Sequence, residues 1–302
     1  MDTTKYQGVI PAFYACYDDI GEISPERTRN FTSHLMDKGV QGLYVGGSSG
    51  ECIYQSVAER KLILENVMSV AKGKMTIIAH VACNNTKDSQ ELAMHAESLN
   101  VDAIAAIPPI YFRLPAYGIV DYWNDISAAA PNTDFIIYNI PQLAGVALTL
   151  PILKEMRKNP RVIGVKNSSP STQDIQMWKS EGGHDFIVFN GPDEQFISGL
   201  AIGAGGGIGG TYAVMPELFL RTYHLFHEGN VQAAINVQND VCQIIYKMCE
   251  AHGNLYAVMK AILNKQGVSV GGVRKPLTSL MPEDHKIVDE AYQMINSAIN
   301  KL

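Results

Sequence analysis

Asp134-Phe-Ile-Ile-Tyr138 and, starting 28 residues later, Val162-Ile-Gly-Val-Lys166 are the two segments of the sequence that decide the fold. Each is a short run of apolar residues, which is typical of a strand buried on both faces in a parallel sheet. Six further runs of the same kind accompany them, at Gly8–Phe13, Gly42–Val45, Thr76–Val81, Ala103–Ile107, Phe186–Phe189 and Gly206–Gly209.

The spacing of these eight runs indicates how they are connected. Their starts lie 20 to 34 residues apart, which leaves room for a strand, a loop and a helix. Amphipathic stretches fill the gaps, among them Ser24–Gly39, Ser56–Gly73 and Thr86–Leu99. An open doubly wound sheet shows the same local pattern, but eight units are the number that closes a (β/α)8 barrel. We therefore predict the α/β class and a (β/α)8 TIM barrel.

The last quarter of the chain has a different pattern. From about Pro216 it reads as consecutive helices without a strand signal, broken near Glu228, His252 and Gly271. This stretch is too short and too interrupted for an independent domain. We predict a single domain over residues 1–302, with the barrel at about 1–225 and a C-terminal helical extension at about 226–302.

Composition excludes several classes of protein. The 302 residues carry 24 Lys and Arg against 30 Asp and Glu, a formal net charge of −6, with no run of basic residues. Such a chain lacks the basic surface that binds nucleic acid. No apolar stretch approaches the ~20 residues of a membrane span, and the first residues lack the pattern of a signal peptide. The five cysteines include no C-x-x-C pair. We expect a soluble cytoplasmic protein with no nucleic-acid or membrane partner.

Two predicted strands end in residues with useful chemistry. Active sites of (β/α)8 barrels lie at the C-terminal ends of the strands, and Lys166 and Tyr138 end two neighbouring strands in this way. A desolvated lysine amine can attack a carbonyl group to form a Schiff base, and a phenol beside it can move protons. The alternative readings are a lysine that reaches water and an aromatic plug at the barrel top. The pair favours the chemical interpretation more than either residue alone.

Two glycine-rich segments match known motifs. Gly46-Gly-Ser-Ser-Gly-Glu51 offers hydroxyls and backbone N–H groups suited to a carboxylate. It also fits the serine-hydrolase pattern G-x-S-x-G, but His80 precedes every downstream acid, which is the wrong order for that triad. Gly205–Gly210 fits the dinucleotide pattern G-x-G-x-x-G, yet it lies late in the chain and Glu228 is a poor ribose partner. We interpret this second segment as a tight turn at a strand end.

Asp193 and Glu194 follow the seventh predicted strand. Two adjacent carboxylates can bind sugar hydroxyls or a metal ion. Because no histidine or third acid lies nearby, hydroxyl binding or a salt bridge is favoured and no metal is predicted.

Three motifs together resemble one family. Gly46–Glu51, Tyr138-Asn-Ile-Pro141 and Gly164-Val-Lys166 occur in the order and at the intervals of the class I pyruvate aldolases of the dihydrodipicolinate synthase/N-acetylneuraminate lyase family. The resemblance covers nearly the whole chain. It implies a (β/α)8 barrel with a C-terminal helical extension, a homotetramer, and catalysis without a metal or organic cofactor.

The resemblance also implies roles for individual residues. Lys166 would form the Schiff base with pyruvate, and Tyr138 would shuttle protons. Ser48 and Ser49 would bind the pyruvate carboxylate. Tyr111, in Pro108-Pro-Ile-Tyr111, matches a tyrosine near a subunit interface in the family.

The second substrate separates the branches of this family. Dihydrodipicolinate synthases carry an arginine after the strand 5 tyrosine, where this sequence has Leu143, so the carboxylate clamp of that branch is missing. Asn190-Gly-Pro-Asp-Glu194 instead resembles the sialic acid lyases. In that branch Asp193, Glu194 and the Gly191 backbone would bind sugar hydroxyls, and Ser168 stands where those lyases often have Thr.

The resemblance thus implies reversible cleavage of N-acetylneuraminate to N-acetylmannosamine and pyruvate. One departure is Gly210, which replaces a serine that helps bind the sugar; either water or Thr211 compensates, or the acyl-sugar preference differs. Three alternatives stay open at this stage. They are a 2-keto-3-deoxy sugar acid aldolase, a dihydrodipicolinate synthase and a non-catalytic sugar-acid binding protein.

Overall fold

Eight parallel strands form the centre of the molecule in the computed structural model, which describes residues 3–302. Each strand pairs with its neighbours in the order β1-β8-β7-β6-β5-β4-β3-β2. Their bounds are β1 Gly8–Pro11, β2 Gly42–Val45, β3 Thr76–His80, β4 Ala103–Ala106, β5 Asp134–Asn139, β6 Val162–Asn167, β7 Ile187–Asn190 and β8 Gly206–Gly209.

The sheet closes on itself between β1 and β2. Ala12 and Tyr44 form a parallel bridge, and the Phe13 N–H donates to the Tyr44 carbonyl over 2.9 Å. Closure confirms the predicted barrel over the open doubly wound sheet. Both β5 and β6 continue one residue beyond the predicted strands, to Asn139 and Asn167.

Helices surround the barrel and form the extension. Two of the predicted starts are capped as their sequences suggest: the Ser24 hydroxyl accepts the Arg27 N–H at 3.3 Å, and Ser56 and Glu59 form a reciprocal capping box. The bounds are α1 Pro25–Asp37, α2 Val57–Ala71, α3 Thr86–Leu99, α4 Ala116–Ala129, α5 Pro141–Ala144, α6 Leu150–Met156, α7 Thr172–Gly182, α8 Phe196–Ala201, α9 Pro216–His227, α10 Val231–Met248, α11 Leu255–Lys265 and α12 Asp284–Ile299.

The C-terminal extension consists of α10, α11 and α12 with the segment 266–283 between the last two. Helix α9 follows β8 as the eighth barrel helix and packs on β1 and α10. Within residues 3–302, none of the helices is long and apolar enough to cross a bilayer.

Alternation along the strands separates two cores. One set of side chains packs between the sheet and the helices, and the other fills the barrel interior. Tyr138, Lys166 and Phe189 lie side by side in the register of β5, β6 and β7. Tyr138 and Phe189 belong to the interior cluster. The last inward-facing position of β6 is therefore Lys166, at the end of the barrel where the strands terminate.

Candidate active site

Lys166 lies in the barrel interior between two tyrosine rings. Its side chain is only 4% exposed, and its Nζ atom lies 4.0 Å from the Tyr138 ring centroid and 4.4 Å from that of Tyr44. No carboxylate in the described chain forms an ion pair with it. The amine thus remains available to a carbonyl group that enters the mouth of the barrel.

A glycine permits the close strand packing that places Lys166. At Gly164, two residues before the lysine, a Cβ atom would lie 2.3 Å from the Ile187 carbonyl oxygen and 2.5 Å from an Ile187 side-chain carbon. Any other residue would push β6 away from β7. Packing of β6 against β7 therefore explains why the residue two positions before Lys166 is a glycine.

Tyr44 is a site residue that the sequence analysis missed. Its ring lies edge-on to Tyr138, with centroids 5.7 Å apart, and its buried hydroxyl has no hydrogen-bond partner within residues 3–302. Burial, followed by the nearby Tyr138, raises the pKa of Tyr44 well above its ordinary value, so its hydroxyl keeps its proton. Strand alternation in Gly42–Val45 could have indicated that Tyr44 points inward.

His80 serves a different purpose from the triad base considered above. Its Nδ1 atom lies 2.9 Å from the Gly46 carbonyl oxygen, and because a carbonyl can only accept, Nδ1 carries the proton. Burial, and then the Arg60 charge, hold the pKa of His80 well below its usual range. The ring lies edge-on to Tyr138 at 5.9 Å. A neutral histidine thus joins the start of the serine loop to the tyrosine beside Lys166.

The serine loop is the segment Gly46–Glu51 after β2. Ser48 to Gly50 form a 3-10 turn, in which Ser49 is buried and Ser48 is partly exposed. A Cβ atom on Gly210 would lie 3.2 Å from the Ser49 Oγ atom and 4.0 Å from the Tyr256 ring. The structure therefore brings the loop together with Gly210 and with Tyr256 of α11, a residue that the sequence analysis did not find.

Asp193 is buried in the 3-10 turn Asp193–Gln195 that follows β7. Its Oδ2 atom accepts the N–H and the hydroxyl of Thr211, both at 2.7 Å, while its buried Oδ1 atom has no partner in the described chain. Burial outweighs these two hydrogen bonds and raises the pKa of Asp193 to about 7. Because the Thr211 hydroxyl donates its proton to Asp193, only its acceptor lone pairs are left for a ligand.

Three further predicted site residues, Ser168, Gly191 and Glu194, follow β6 and β7 and differ in their burial and contacts. The Gly191 N–H donates to the Asn167 carbonyl at 2.7 Å, so only its carbonyl is left for a ligand. A Cβ atom there would lie 2.4 Å from the Ser168 Oγ atom, which places Ser168 against Gly191. Glu194 is exposed to solvent.

Asparagines order the loops that follow these strands. Asn139 donates from Nδ2 to the Asn167 Oδ1 atom over 2.9 Å, and Asn190 donates to the Pro192 carbonyl over 2.7 Å. The three asparagines occupy matching register positions on β5, β6 and β7. Sequence reasoning missed them because their partners are set by the register.

Tyr111 is the one predicted site residue that lies on the outer surface. Its side chain is 89% exposed, with its ring edge-on to Phe112 at 4.9 Å and an unusual backbone φ of 82°. A bulky residue at positive φ is strained. Within one chain, therefore, it does not join the cluster around Lys166.

Metal binding is not suggested by the side chains that the structure describes. Between residues 3 and 302, no group of three or more His, Cys, Asp and Glu side chains is placed so that it could bind a metal ion. The five cysteines, Cys16, Cys52, Cys83, Cys242 and Cys249, are free thiols.

The raised pKa of Asp193 predicts how stability changes with pH. Between about pH 4 and pH 7 the native state keeps a proton that the unfolded chain has lost, so this group lowers the free energy of unfolding as pH rises. Asp193→Asn removes that contribution. In urea unfolding, the free energy of unfolding of Asp193→Asn minus that of the unmodified protein should rise between about pH 4 and pH 7, whereas for Asp289→Asn on the surface this difference should stay constant. Parallel profiles for Asp193→Asn and the unmodified protein would contradict this assignment.

Comparison with known proteins identifies the family of this arrangement. The family model described as the dihydrodipicolinate synthetase family matches residues 5–295. The N-acetylneuraminate lyase of Mediterraneibacter gnavus is 65% identical over 298 residues, which cover 98% of this chain and 95% of that protein. The Escherichia coli K12 N-acetylneuraminate lyase is 34% identical over 288 residues, with 95% of each chain covered.

A solved structure agrees over almost the full length. The catalytic lysine mutant of Ruminococcus gnavus sialic acid aldolase has a TM-score of 0.99 and 64% identity, with 99% of each chain covered. The barrel, its C-terminal helices and the sequence match together show that the chain belongs to the dihydrodipicolinate synthetase family.

Proposed function

We propose that this protein is a class I aldolase, a carbon–carbon lyase that reversibly cleaves N-acetylneuraminate to N-acetylmannosamine and pyruvate. The observation that carries the proposal is the buried Lys166 amine beside Tyr138 at the mouth of the barrel. The 65% identity to an N-acetylneuraminate lyase over nearly the whole chain supports the choice of substrate. Leu143 is exposed and apolar, which argues against a carboxylate clamp after β5.

The reaction begins with an imine at Lys166. Its neutral amine attacks the C2 carbonyl of the open-chain sugar acid, and the resulting carbinolamine loses water to give an iminium ion. The C3–C4 bond then breaks and its electron pair moves into the iminium, which becomes an enamine, while the C4 hydroxyl loses its proton and becomes the aldehyde of N-acetylmannosamine. Protonation of the enamine at C3 and addition of water release pyruvate and the amine.

Tyr138 is placed to move the protons in these steps. The centroid of its ring lies 4.0 Å from the Lys166 Nζ atom, and it is the residue of β5 paired with Lys166 in the sheet. We assign to it the transfer of protons to and from the carbinolamine and, together with the substrate carboxylate, the proton of the C4 hydroxyl. The reaction requires neither a metal nor an organic cofactor, because the imine itself accepts the electron pair.

The other residues bind the two ends of the substrate. Ser48 and Ser49 are assigned to the carboxylate, since the serine loop presents hydroxyls and N–H groups. The polyol chain is assigned to Asp193, Glu194, Ser168 and the Gly191 carbonyl. The unpaired Asp193 Oδ1 atom supports this, since a hydroxyl would satisfy it.

Reductive trapping tests the imine. Borohydride added with pyruvate should attach a pyruvate-derived group to Lys166, detected by mass spectrometry of peptides, and Lys166→Ala should lose both the adduct and turnover. Tyr138→Phe should still form the adduct at Lys166, while its kcat falls by about 100-fold or more because proton transfer is impaired. Activity retained in Lys166→Ala would exclude this mechanism.

A substrate panel tests the second half of the proposal. Pyruvate release should be fastest from N-acetylneuraminate when N-glycolylneuraminate and 2-keto-3-deoxygluconate are compared at equal concentrations. Faster release from 2-keto-3-deoxygluconate would assign the protein to the related keto-deoxy sugar acid aldolases. Binding of all three without release would indicate a non-catalytic binding protein.

We also infer a homotetramer from the family resemblance. An exposed apolar surface supports it, since Tyr111, Phe112 and Tyr117 are each more than two-thirds exposed and lie at the start of α4 or just before it. Contiguous exposed aromatic side chains commonly mark protein interfaces. Sedimentation velocity should give the mass of four chains, and Phe112→Asp should shift the distribution to smaller species.

A further inference from the structure

A buried ion pair joins the serine loop to the C-terminal extension. The Glu51 carboxylate ends the loop, and its Oε1 atom lies 2.6 Å from the Nζ atom of Lys260 on α11. Both side chains are almost completely inaccessible, at 0% and 1% exposure. The two residues are 209 positions apart in the chain, so this contact forms only when α11 docks on the barrel.

Both carboxylate oxygens of Glu51 and two of the three N–H donors of Lys260 are used. The second oxygen of Glu51, Oε2, accepts the Arg274 N–H over 2.8 Å, and Lys260 also donates to the Gly272 carbonyl over 2.6 Å. Helix α11 and the segment after it therefore surround the Glu51 carboxylate. A buried charge pair is stable only when its remaining hydrogen-bonding groups are satisfied in this way.

The backbone of Glu51 has an unfavourable conformation that its side-chain contacts must offset. The residue adopts the left-handed region, with φ 56° and ψ 29°, which is unfavourable for any residue except glycine. Its conformation reverses the chain directly after Ser48 and Ser49. The Glu51 N–H closes the turn by donating to the Ser48 carbonyl over 3.0 Å, and the buried contacts of the Glu51 side chain add to this to offset the unfavourable backbone conformation.

A second set of contacts, through Tyr17 and Gln55, connects Lys260 of α11 to the serine loop. The Lys260 amine lies 4.6 Å from the centre of the Tyr17 ring. The Tyr17 hydroxyl accepts a hydrogen bond from Gln55 over 3.1 Å, and the same Gln55 amide donates to the Gly50 carbonyl over 2.8 Å. Lys260 is thus linked to the end of the serine loop twice, directly at Glu51 and, through Tyr17 and Gln55, at the neighbouring Gly50.

We propose that Glu51 and Lys260 are positioning residues for substrate binding, and that through them the C-terminal extension sets the geometry of the Ser48 and Ser49 hydroxyls. This rests on the proposed binding of the substrate carboxylate by those serines. A buried ion pair is a weak source of net stability compared with an apolar pair of similar size, but it fixes one arrangement of the chain. Its function here is to define the turn, and the affinity for the carboxylate depends on it.

Two measurements on the same variants test the proposal. Lys260→Met keeps the length of the side chain and removes its charge; Lys265→Met is the matched control, because Lys265 lies on the same helix and pairs with the exposed Asp289. Amide hydrogen exchange of ligand-free protein is followed for residues 46–55. Borohydride trapping at Lys166 is titrated with pyruvate, so that half-saturation and maximal rate are obtained separately.

The expected result is specific to the loop. Lys260→Met should accelerate exchange in residues 46–55 and raise the half-saturating pyruvate concentration roughly tenfold, because misplaced binding groups lose affinity. Its maximal trapping rate should stay close to that of the unmodified protein, and Lys265→Met should change none of these values. Lys260→Arg should recover most of the affinity, since it restores the charge opposite Glu51.

Other outcomes separate the two proposals. Unchanged exchange in residues 46–55, or unchanged half-saturation in a variant that is merely less stable to heat, would overturn the positioning role. No trapping in the unmodified protein would refute the imine mechanism instead, and the exchange data would then decide the positioning role by themselves. If Lys260→Met does not fold, Glu51→Gln, which keeps the size of the side chain, is expected to show the same pattern.

Discussion

Closure of eight parallel strands is the constraint on which the rest of the structure depends. In a closed sheet every second side chain of each strand must fit inside the barrel, and register fixes which side chains become neighbours. Tyr138, Lys166 and Phe189 are adjacent for this reason alone. Glycines such as Gly164 let the strands approach closely enough for that register. The position of the amine is thus a property of the whole barrel, which no single loop could provide.

Burial of the side chains around Lys166 determines the electrostatics of the site. His80 is held neutral, the Tyr44 hydroxyl keeps its proton, and Asp193 titrates near neutrality. Burial is the largest cause of all three shifts, because it disfavours each charged form. Lys166 is therefore surrounded by groups that are neutral or change charge near physiological pH. In the proposed mechanism, the substrate carboxylate would then supply the main negative charge beside the iminium ion.

The sequence predicted those parts of the molecule that depend on patterns within a short stretch of the chain. Strand runs and their spacing predicted all eight strands, and the strand-end rule together with the family resemblance selected Lys166 and Tyr138. The residues it missed depend on distant parts of the chain. Tyr44 contacts Tyr138 across the barrel, and Tyr256 reaches Ser49 only because α11 packs back onto the mouth. Periodicity describes one element at a time, so contacts between elements far apart in sequence lie beyond it.

Gly210 shows how such contacts change the interpretation of a single residue. From the sequence alone, Gly210 lacks the hydroxyl of the serine that the sialic acid lyases have at this position, and Thr211 could compensate for it. In the structure the Thr211 hydroxyl donates to Asp193, and the backbone of Gly210 is helical, a conformation that any residue can adopt. The neighbours of the absent side chain are the Ser49 hydroxyl and the Tyr256 ring. The C-terminal extension, which supplies Tyr256 and Lys260, therefore lies against the serine loop to which the proposed function assigns the substrate carboxylate.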